Sequence, residues 1–309
     1  MKKVFIDGSA GTTGLRIVER LSERKDIQLM LLSDEKRKVP EERKKAINDA
    51  DIVFLCLPDD AAKEAVSMLE NERTVIIDTS TAHRTDERFA YGFPEITGYR
   101  EKIRNAKLIA NPGCHASGFI ALVAPLLEQG LIGRDIRLSA FSLTGYSGGG
   151  KKMIAEYEAE ERSLLLKAPR QYGITQMHKH LPEMVKVCGL TIPPVFCPIV
   201  ADYYAGMEVT VPLFKQDLKG SLTDLEEAYK NYYTNGLIRF TGKTDEGGYL
   251  SGNAFEGRDD MEISIYGNED RILLVSRFDN LGKGASGAAI QNMNLVLGCK
   301  EDTGLTVKL

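Results

Sequence analysis

The sequence predicts an α/β protein: a Rossmann-type domain with a parallel sheet, and an α+β domain whose sheet is mostly antiparallel. Three observations support this fold class. A glycine-rich turn follows the first apolar strand, strands and helices alternate as far as residue 130, and apolar residues then recur at period two. The 309 residues, 43% hydrophobic and 27% charged, are enough for one or two domains with full cores.

Charge and cysteine usage narrow the functional class. The formal net charge is −4 and the sequence pI is about 5.8, so no electrostatic footprint for a nucleic-acid partner is present. The five cysteines lack the paired spacing of disulfide frameworks or zinc sites, which indicates a reducing compartment. No apolar run approaches ~20 residues, so we expect a cytoplasmic protein without a membrane partner.

The first strand, residues 4–6, is followed by a glycine-rich turn and an amphipathic helix. Gly8, Gly11 and Gly14 have GxxGxxG spacing, a variant of the dinucleotide fingerprint. Such glycines allow a tight turn and a close approach of the backbone to a pyrophosphate at the helix N-terminus. The turn therefore predicts a bound nicotinamide dinucleotide.

The second strand, residues 27–32, ends where the residue that recognises the ribose belongs. Asp34 could accept a hydrogen bond from a free 2′-hydroxyl, which would indicate NAD. Ser33, with the basic residues at 36–38, could instead hold the 2′-phosphate of NADP. The residues alone leave both cofactors open.

Polar loops follow the later strands of the first half and lie at one edge of the predicted sheet. These strands are residues 51–57, 74–78 and 107–110. Ligands of such sheets bind at the carboxyl ends of the strands. Arg84 follows the strand at 74–78, and its guanidinium could bind a carboxylate or a phosphate through two N–H groups.

Cys114 lies where the strand at 107–110 gives way to an apolar helix that continues to Gly130. Unpaired backbone N–H groups and the helix dipole favour the thiolate at that position, and the thiolate is the nucleophilic species. We therefore predict a catalytic nucleophile; the alternative is a small buried apolar side chain.

Four histidines occur, at positions 83, 115, 178 and 180. In an extended segment His178 and His180 would face the same side, where an imidazole suits general acid/base work beside a thiolate. Metal binding by His178 and His180 with Cys114 or His115 is an alternative, as is a purely structural role. Because no regular ligand spacing is present, we predict no metal.

The second half has a different pattern. Residues 145–152 form a glycine loop whose N–H groups and lysines could hold an anion, although the spacing is not that of a P-loop. Period-two alternation predicts strands at 134–144, 206–213, 261–266 and 271–278. Helices are expected at 153–166, 225–233 and 285–297.

Several ordered motifs together resemble the short form of the N-acetyl-gamma-glutamyl-phosphate reductases, relatives of aspartate-semialdehyde dehydrogenase. The motifs occupy residues 8–14, 55–61, 78–84, 111–115, 145–151 and 279–287. The resemblance implies that residues 1–117 with 284–309 form an NADP-binding Rossmann domain. Residues 118–283 would then form a domain for substrate binding and dimerisation.

The resemblance also implies a reaction: NADPH-dependent reduction of N-acetyl-gamma-glutamyl phosphate to the 5-semialdehyde and inorganic phosphate, in arginine biosynthesis. Cys114 would form a thioester, His178 would be the acid/base, and the protein would be a homodimer or tetramer. The cofactor contacts would be Gly8, Ser9, Gly11, Thr12, Thr13, Gly14, Ser33, Pro58, Gly284 and Ala285. The substrate contacts would be Ser80, Arg84, Asn111, Ser147, Lys151 and His180.

Lys179 departs from the family pattern, which has arginine between the two histidines. This difference leaves the fine details of anion contact open. Reduction of a related acyl phosphate, aspartyl or aminoadipyl, is one alternative function. An NADP-binding redox sensor that senses through Cys114 without turnover is another.

Overall fold

The computed structural model describes residues 1–308. It contains two compact units: Met1–Gly113 with Ala285–Leu305, and Cys114–Gly284 with residues 306–308. Within residues 1–308, no helix combines the length and the apolar character needed to cross a membrane.

The first unit is built on a parallel sheet, as expected. Its strands are β1 (Lys2–Asp7), β2 (Ile27–Met30), β3 (Ile52–Leu55), β4 (Val75–Asp78), β5 (Ala90–Tyr91) and β6 (Leu108–Ala110). They lie in the order β2-β1-β3-β4-β6-β5, and each neighbouring pair is parallel. Its first helices are α1 (Thr12–Ser22), α2 (Pro40–Asp49), α3 (Asp59–Ser67) and α4 (Tyr99–Asn105).

Alternate residues of the central strands enter two different cores, because side chains of a strand point to opposite faces. Val4 of β1 packs in the core that contains α1, whereas Phe5 packs in the core that contains α2 and α3. Both faces of the sheet are therefore covered by helices, which is the architecture of a doubly wound fold.

The second unit contains a seven-stranded sheet in the order β11-β12-β13-β10-β7-β9-β8. The strands are β7 (Ser139–Gly145), β8 (Arg170–Gln171), β9 (Val195–Ala201), β10 (Met207–Phe214), β11 (Ile238–Gly242), β12 (Met261–Gly267) and β13 (Arg271–Phe278). Four neighbouring pairs are antiparallel, whereas β7–β9 and β11–β12 are parallel. The prediction of a mostly antiparallel sheet is confirmed, and the sheet is mixed.

One face of this sheet packs on the long apolar helix α5 (Cys114–Glu128), with α7 (Leu181–Cys188) and α8 (Leu222–Tyr232) beside it. The opposite face retains partly exposed apolar side chains. Phe141 is 43% exposed, Val195 54% and Leu273 39%. The register of β7, β9, β10 and β13 puts these three side chains on the same face.

The predicted helix at 153–166 is wrong. The structure has α6 (Gly150–Tyr157) and a separate short 3-10 turn (Leu164–Lys167). The Arg162 side chain donates to the carbonyl oxygen of Tyr157 at 2.8 Å, and the Ser163 hydroxyl accepts from the backbone N–H of Leu165. Side chains thus bond to a backbone carbonyl before the break and a backbone N–H after it. The spacing of apolar residues, on which the helix prediction was based, contains no information about these bonds.

The last helix, α9 (Gly287–Leu297), belongs to the first unit and packs in the same core as α1. One turn of π-helix (Gly282–Ser286) precedes it. The helix was predicted to start at residue 285, two residues early. It ends at Gly298, whose φ of 69° is the left-handed conformation that glycine adopts readily.

Candidate active site

Cys114 is the first residue of α5 and is partly exposed, so its sulfur lies neither in a dry core nor free in solvent. Glycines pack the helix closely. A Cβ at Gly118 would lie 2.8 Å from the Ser276 hydroxyl and 2.9 Å from the Phe278 ring. A Cβ at Gly284 would lie 2.9 Å from the Cβ of Cys114 itself. Gly284, predicted as a cofactor contact, therefore lies directly against the cysteine.

His115 is buried behind the thiol and both of its ring nitrogens are engaged. Nδ1 lies 2.6 Å from the Ser142 hydroxyl, and Nε2 lies 2.7 Å from the Tyr172 hydroxyl. Burial lowers the pKa of His115 to about 3, with smaller contributions from His178 and Lys179. The ring is therefore neutral at physiological pH. The role of Ser142 and Tyr172 was not predicted, because no short motif connects them to His115.

His178 and His180 lie in a turn ahead of α7, so the prediction of an extended segment is wrong. The turn nevertheless brings the rings together, with centroids 4.8 Å apart. The backbone N–H of His180 donates to Nδ1 of His178 at 3.3 Å, which leaves the ring proton on Nε2. Burial, and secondarily Lys179, lowers the pKa of His178 to about 4.

The predicted thiol and one of the two paired histidines meet in the second unit. The ligand-forming atoms of Cys114, His115 and His180 all lie within 4.8 Å of one another. His180 is 5% exposed, whereas His178 is only half-buried. The arrangement provides a thiol, adjacent imidazoles and a helix N-terminus, which are the parts required for nucleophilic acyl chemistry.

In the first unit, the glycine turn has the predicted geometry. Gly8 has a φ of +86°, and a Cβ there would overlap the carbonyl oxygen of Cys56. The N–H of Gly11 donates to the Gly8 carbonyl at 3.0 Å, and α1 begins at Thr12. A Cβ at Gly14 would lie 2.9 Å from Cα of Ser9. Only glycine fits at positions 8 and 14, so the turn stays narrow at the start of the helix.

A cavity of about 450 Å³ adjoins this turn. Arg37 and Lys38 contribute to its lining, whereas Ser33 and Asp34 are exposed residues outside that lining. The Asp34 carboxylate instead accepts from Nε of Arg37 at 2.7 Å. Gly8, Ser9 and Pro58, all predicted as cofactor contacts, line the same cavity.

Arg43, which the sequence did not suggest, also lines this cavity. Its buried guanidinium pairs with Asp7 at 3.0 Å and with Glu64 at 2.7 Å. Burial raises the pKa of Asp7, and Arg43 partly opposes that rise. A lone arginine in a polar helix carries no sequence signal for burial, so this contact could be found only from the fold.

Arg84 and Asn111 meet at the carboxyl ends of β4 and β6. Nε of Arg84 donates to the Asn111 carbonyl at 3.0 Å, and Nη2 donates to the Thr79 carbonyl at 3.1 Å. The Asn111 amide donates to the carbonyl oxygen of Ala285 at 3.0 Å. These bonds set the position of the guanidinium that was predicted to bind an anion.

Ser80 lies in a buried cluster beside this pair. Its hydroxyl donates to the Asp78 carboxylate at 2.7 Å, and Nδ1 of His83 lies 2.6 Å from the same oxygen. His83 stacks on Phe89 with ring centroids 4.3 Å apart. The Ser80 hydroxyl is thus engaged in holding the loop, and the histidine of the cluster received no role from the sequence.

Ser147 and Lys151 lie on the glycine loop of the second unit. Ser147 is buried, and its hydroxyl accepts from the Asn280 amide at 3.0 Å. Asn280 also accepts from the N–H of Gly206 at 2.9 Å. Lys151 is exposed on the first turn of α6. The hydrogen bond of Ser147 therefore fixes the first part of the loop, whereas the Lys151 ammonium group faces solvent.

Two family descriptions match this chain. "Semialdehyde dehydrogenase, NAD binding domain" matches residues 3–106, and "Semialdehyde dehydrogenase, dimerisation domain" matches residues 114–280. Among solved structures, aspartate semialdehyde dehydrogenase II of Vibrio cholerae complexed with ASA has a TM-score of 0.72 at 17% identity, covering 96% of this chain and 98% of that one. The enzyme of Candida albicans with NADP has a TM-score of 0.68 at 16% identity, covering 97% and 99%. These structures show a shared fold.

Curated relatives are much closer in sequence. N-acetyl-gamma-glutamyl-phosphate reductase 2 of Nostoc sp. is 42% identical, covering 98% of this chain and 99% of that protein. N-acetyl-gamma-glutamyl-phosphate reductase of Brucella suis is 45% identical, covering 96% and 99%. The chain therefore belongs to the N-acetyl-gamma-glutamyl-phosphate reductase family of the semialdehyde dehydrogenases.

Proposed function

We propose that this protein reduces N-acetyl-gamma-glutamyl phosphate with NADPH, giving N-acetyl-glutamate 5-semialdehyde and inorganic phosphate in arginine biosynthesis. The observation that carries the proposal is the partly exposed Cys114 at the start of α5, with His115 and His180 within 4.8 Å. Family membership, with relatives 42–45% identical, supports this substrate over other acyl phosphates.

In the first half-reaction, the Cys114 thiolate attacks the acyl carbon and the phosphate group leaves, so that a thioester forms. The N-terminus of α5 carries the positive end of the helix dipole, which can stabilise the developing oxyanion. Arg84 and Lys151 hold the anionic groups of the substrate. Ser80, Asn111 and Ser147 support the loops that carry these contacts.

In the second half-reaction the thioester is reduced and released as the aldehyde. NADPH, when bound, would supply the hydride for this step. His178, half-buried and neutral, takes the proton from the Cys114 thiol as the thiolate forms in the first half-reaction, and gives it to the oxygen of the thiohemiacetal in the second. That proton moves to the sulfur as the aldehyde leaves, so the thiol is regenerated. His180, which is buried and has a ring nitrogen within 4.8 Å of the sulfur, assists the thiol. Lys179 serves as a further cation beside the pair.

The cofactor of this proposal is NADP(H) rather than NAD(H). Arg37 and Lys38 contribute two positive charges to the 450 Å³ cavity beside the glycine turn, which suits a 2′-phosphate. Asp34, the residue that would favour a free 2′-hydroxyl, is paired with Arg37. In this proposal residues 1–117 with 284–309 bind the cofactor, and residues 118–283 bind substrate and the partner subunit.

The proposed assembly is a homo-oligomer, a dimer or a tetramer. The family description for residues 114–280 names a dimerisation domain, and the exposed Phe141, Val195 and Leu273 share one sheet face. Exposed apolar side chains grouped on one face are typical of a subunit interface. None of the five cysteines, all within residues 1–308, forms a disulfide, which supports a cytoplasmic location.

The decisive experiment measures oxidation of N-acetyl-glutamate semialdehyde in the reverse direction. We expect activity that requires both NADP and inorganic phosphate, with aspartate semialdehyde a much poorer substrate. Equal or better use of aspartate or aminoadipate semialdehyde would assign the protein to another acyl phosphate. Binding of NADPH without phosphate-dependent turnover of any semialdehyde would favour the redox-sensor alternative.

A further inference from the structure

We propose that Cys114, His115 and His180 form a binding site for one Zn²⁺ ion, and that the bound ion switches the enzyme off. The three side chains offer one sulfur and two imidazole nitrogens, all within 4.8 Å of one another. Zn²⁺ binds sulfur at ~2.3 Å and nitrogen at ~2.0 Å, so a shared ion requires the cluster to contract by roughly 1 Å. Rotation of the Cys114 and His180 side chains would supply this movement, because Phe196 restrains the ring of His115.

The donor set suits zinc rather than magnesium or calcium. A thiolate and two imidazoles are soft to intermediate ligands, and no carboxylate belongs to the cluster. Three protein ligands with an open fourth position is the arrangement found in catalytic zinc sites. The open position here would be taken by water or by the substrate phosphate.

The surroundings of His115 supply the hydrogen bonds that usually orient a metal-binding imidazole. Ser142 and Tyr172 hold its two nitrogens at 2.6 and 2.7 Å. When one nitrogen binds the ion, the corresponding hydroxyl must turn away, while the other hydroxyl keeps the ring in place. Phe196 packs edge-on against both His115 and His178, with centroids 5.3 and 5.0 Å away, which limits movement of the rings.

Zinc binding has a direct chemical consequence. The Cys114 proton is released to solvent, a Zn–S bond forms, and the sulfur lone pair is no longer available for attack on the acyl carbon. No oxidation occurs, so a chelator restores the thiol. The binding does not depend on the proposed reaction; only the loss of turnover rests on it.

The test uses the reduced, metal-free full-length protein and titrates it with Co²⁺, which reports on zinc sites by its absorption. We expect one Co²⁺ per chain, a thiolate-to-cobalt band in the near ultraviolet, and displacement of cobalt by Zn²⁺. Cys114→Ser should lose the band, and His180→Ala should weaken binding by roughly tenfold or more. Cys197→Ser, which changes a half-buried cysteine on β9, should bind like the wild type.

Three results would overturn the proposal. One is a band that persists in Cys114→Ser. Another is full affinity in His180→Ala, which would indicate a lone thiol rather than a three-ligand site. The third is Zn²⁺ binding without loss of turnover. Circular dichroism and NADPH binding of each variant show that the fold is intact, independently of catalysis.

Discussion

The side-chain amide of Asn292 donates to the Oδ1 atom of Asn111 across 3.2 Å, and it also donates to the carbonyl oxygen of Gly92 at 3.0 Å. Both asparagines are fully buried. Asn111 in turn contacts Arg84 and Ala285. Helix α9 therefore fixes the loop that, three residues later in the chain, leads to Cys114.

Asn292→Ala should lower kcat by roughly tenfold with a smaller effect on NADPH affinity, because it removes the contact that orients Asn111. Loss of the buried bonds should cost about 1–3 kcal/mol of stability. The control is Asn294→Ala in the same helix, whose amide holds the carbonyls of Glu301 and Thr303. If both variants lower kcat equally, the effect is a general loss of structure. Steady-state kinetics and urea unfolding measure the two quantities.

Cys114→Ser should reduce turnover by at least about a thousandfold while NADPH still binds, because a serine hydroxyl is a far weaker nucleophile than a thiolate. Rates are measured in both directions, and cofactor binding by fluorescence titration. Cys197→Ser is the matched control and should retain wild-type rates. A Cys114→Ser rate near that of the wild type would exclude the thioester.

Replacement of Arg37 and Lys38 by alanine should weaken NADPH binding by roughly 10- to 100-fold and change NADH binding little, because only NADPH carries the 2′-phosphate. Lys36→Ala is the control, since Lys36 pairs with Glu42 at 3.5 Å and is not part of the cavity lining. Parallel losses for both cofactors would argue that these side chains recognise something other than the 2′-phosphate.

His115 makes stability depend on pH. Its pKa is about 3 when folded and 6.5 in its ordinary state, so the unfolded chain binds the proton first as the pH falls. The folded protein should lose stability between about pH 6.5 and pH 3, by on the order of 1–2 kcal/mol at pH 5. Urea unfolding at pH 8 and pH 5 measures this. In His115→Gln the difference between the two pH values should shrink, and an unchanged difference would assign it to other groups.

Phe141→Asp should dissociate the oligomer, because it puts a charge into the exposed apolar face of the second unit's sheet. Light scattering after size exclusion gives the mass. Tyr249→Asp changes a residue that is 77% exposed and outside this face, and should leave the mass unchanged. A Phe141→Asp protein of wild-type mass would show that the interface lies elsewhere.

The first half was predictable because its signals are local. The glycines at 8 and 14 allow a narrow turn in which a side chain would not fit. Continuous apolar runs such as residues 52–55 are typical of parallel strands buried on both faces. The position of Cys114 at a helix start was predictable for the same reason. The strand before it, the short loop and the apolar helix after it are adjacent in sequence.

Other features depend on pairings that sequence spacing does not encode. His115 meets Ser142 and Tyr172 only because β7 and the segment before α7 lie over the start of α5. Arg43 is buried only because Asp7 ends the neighbouring strand β1. At the break after Tyr157, the side chains of Arg162 and Ser163 bond to backbone groups on either side of it.

Close packing at Gly118 helps to fix the position of the Cys114 thiol. Because that glycine brings the helix backbone against Ser276 and Phe278, the sulfur one turn earlier is held by the body of the sheet. Substitutions in loops away from this packing should therefore leave the position of the Cys114 sulfur unchanged.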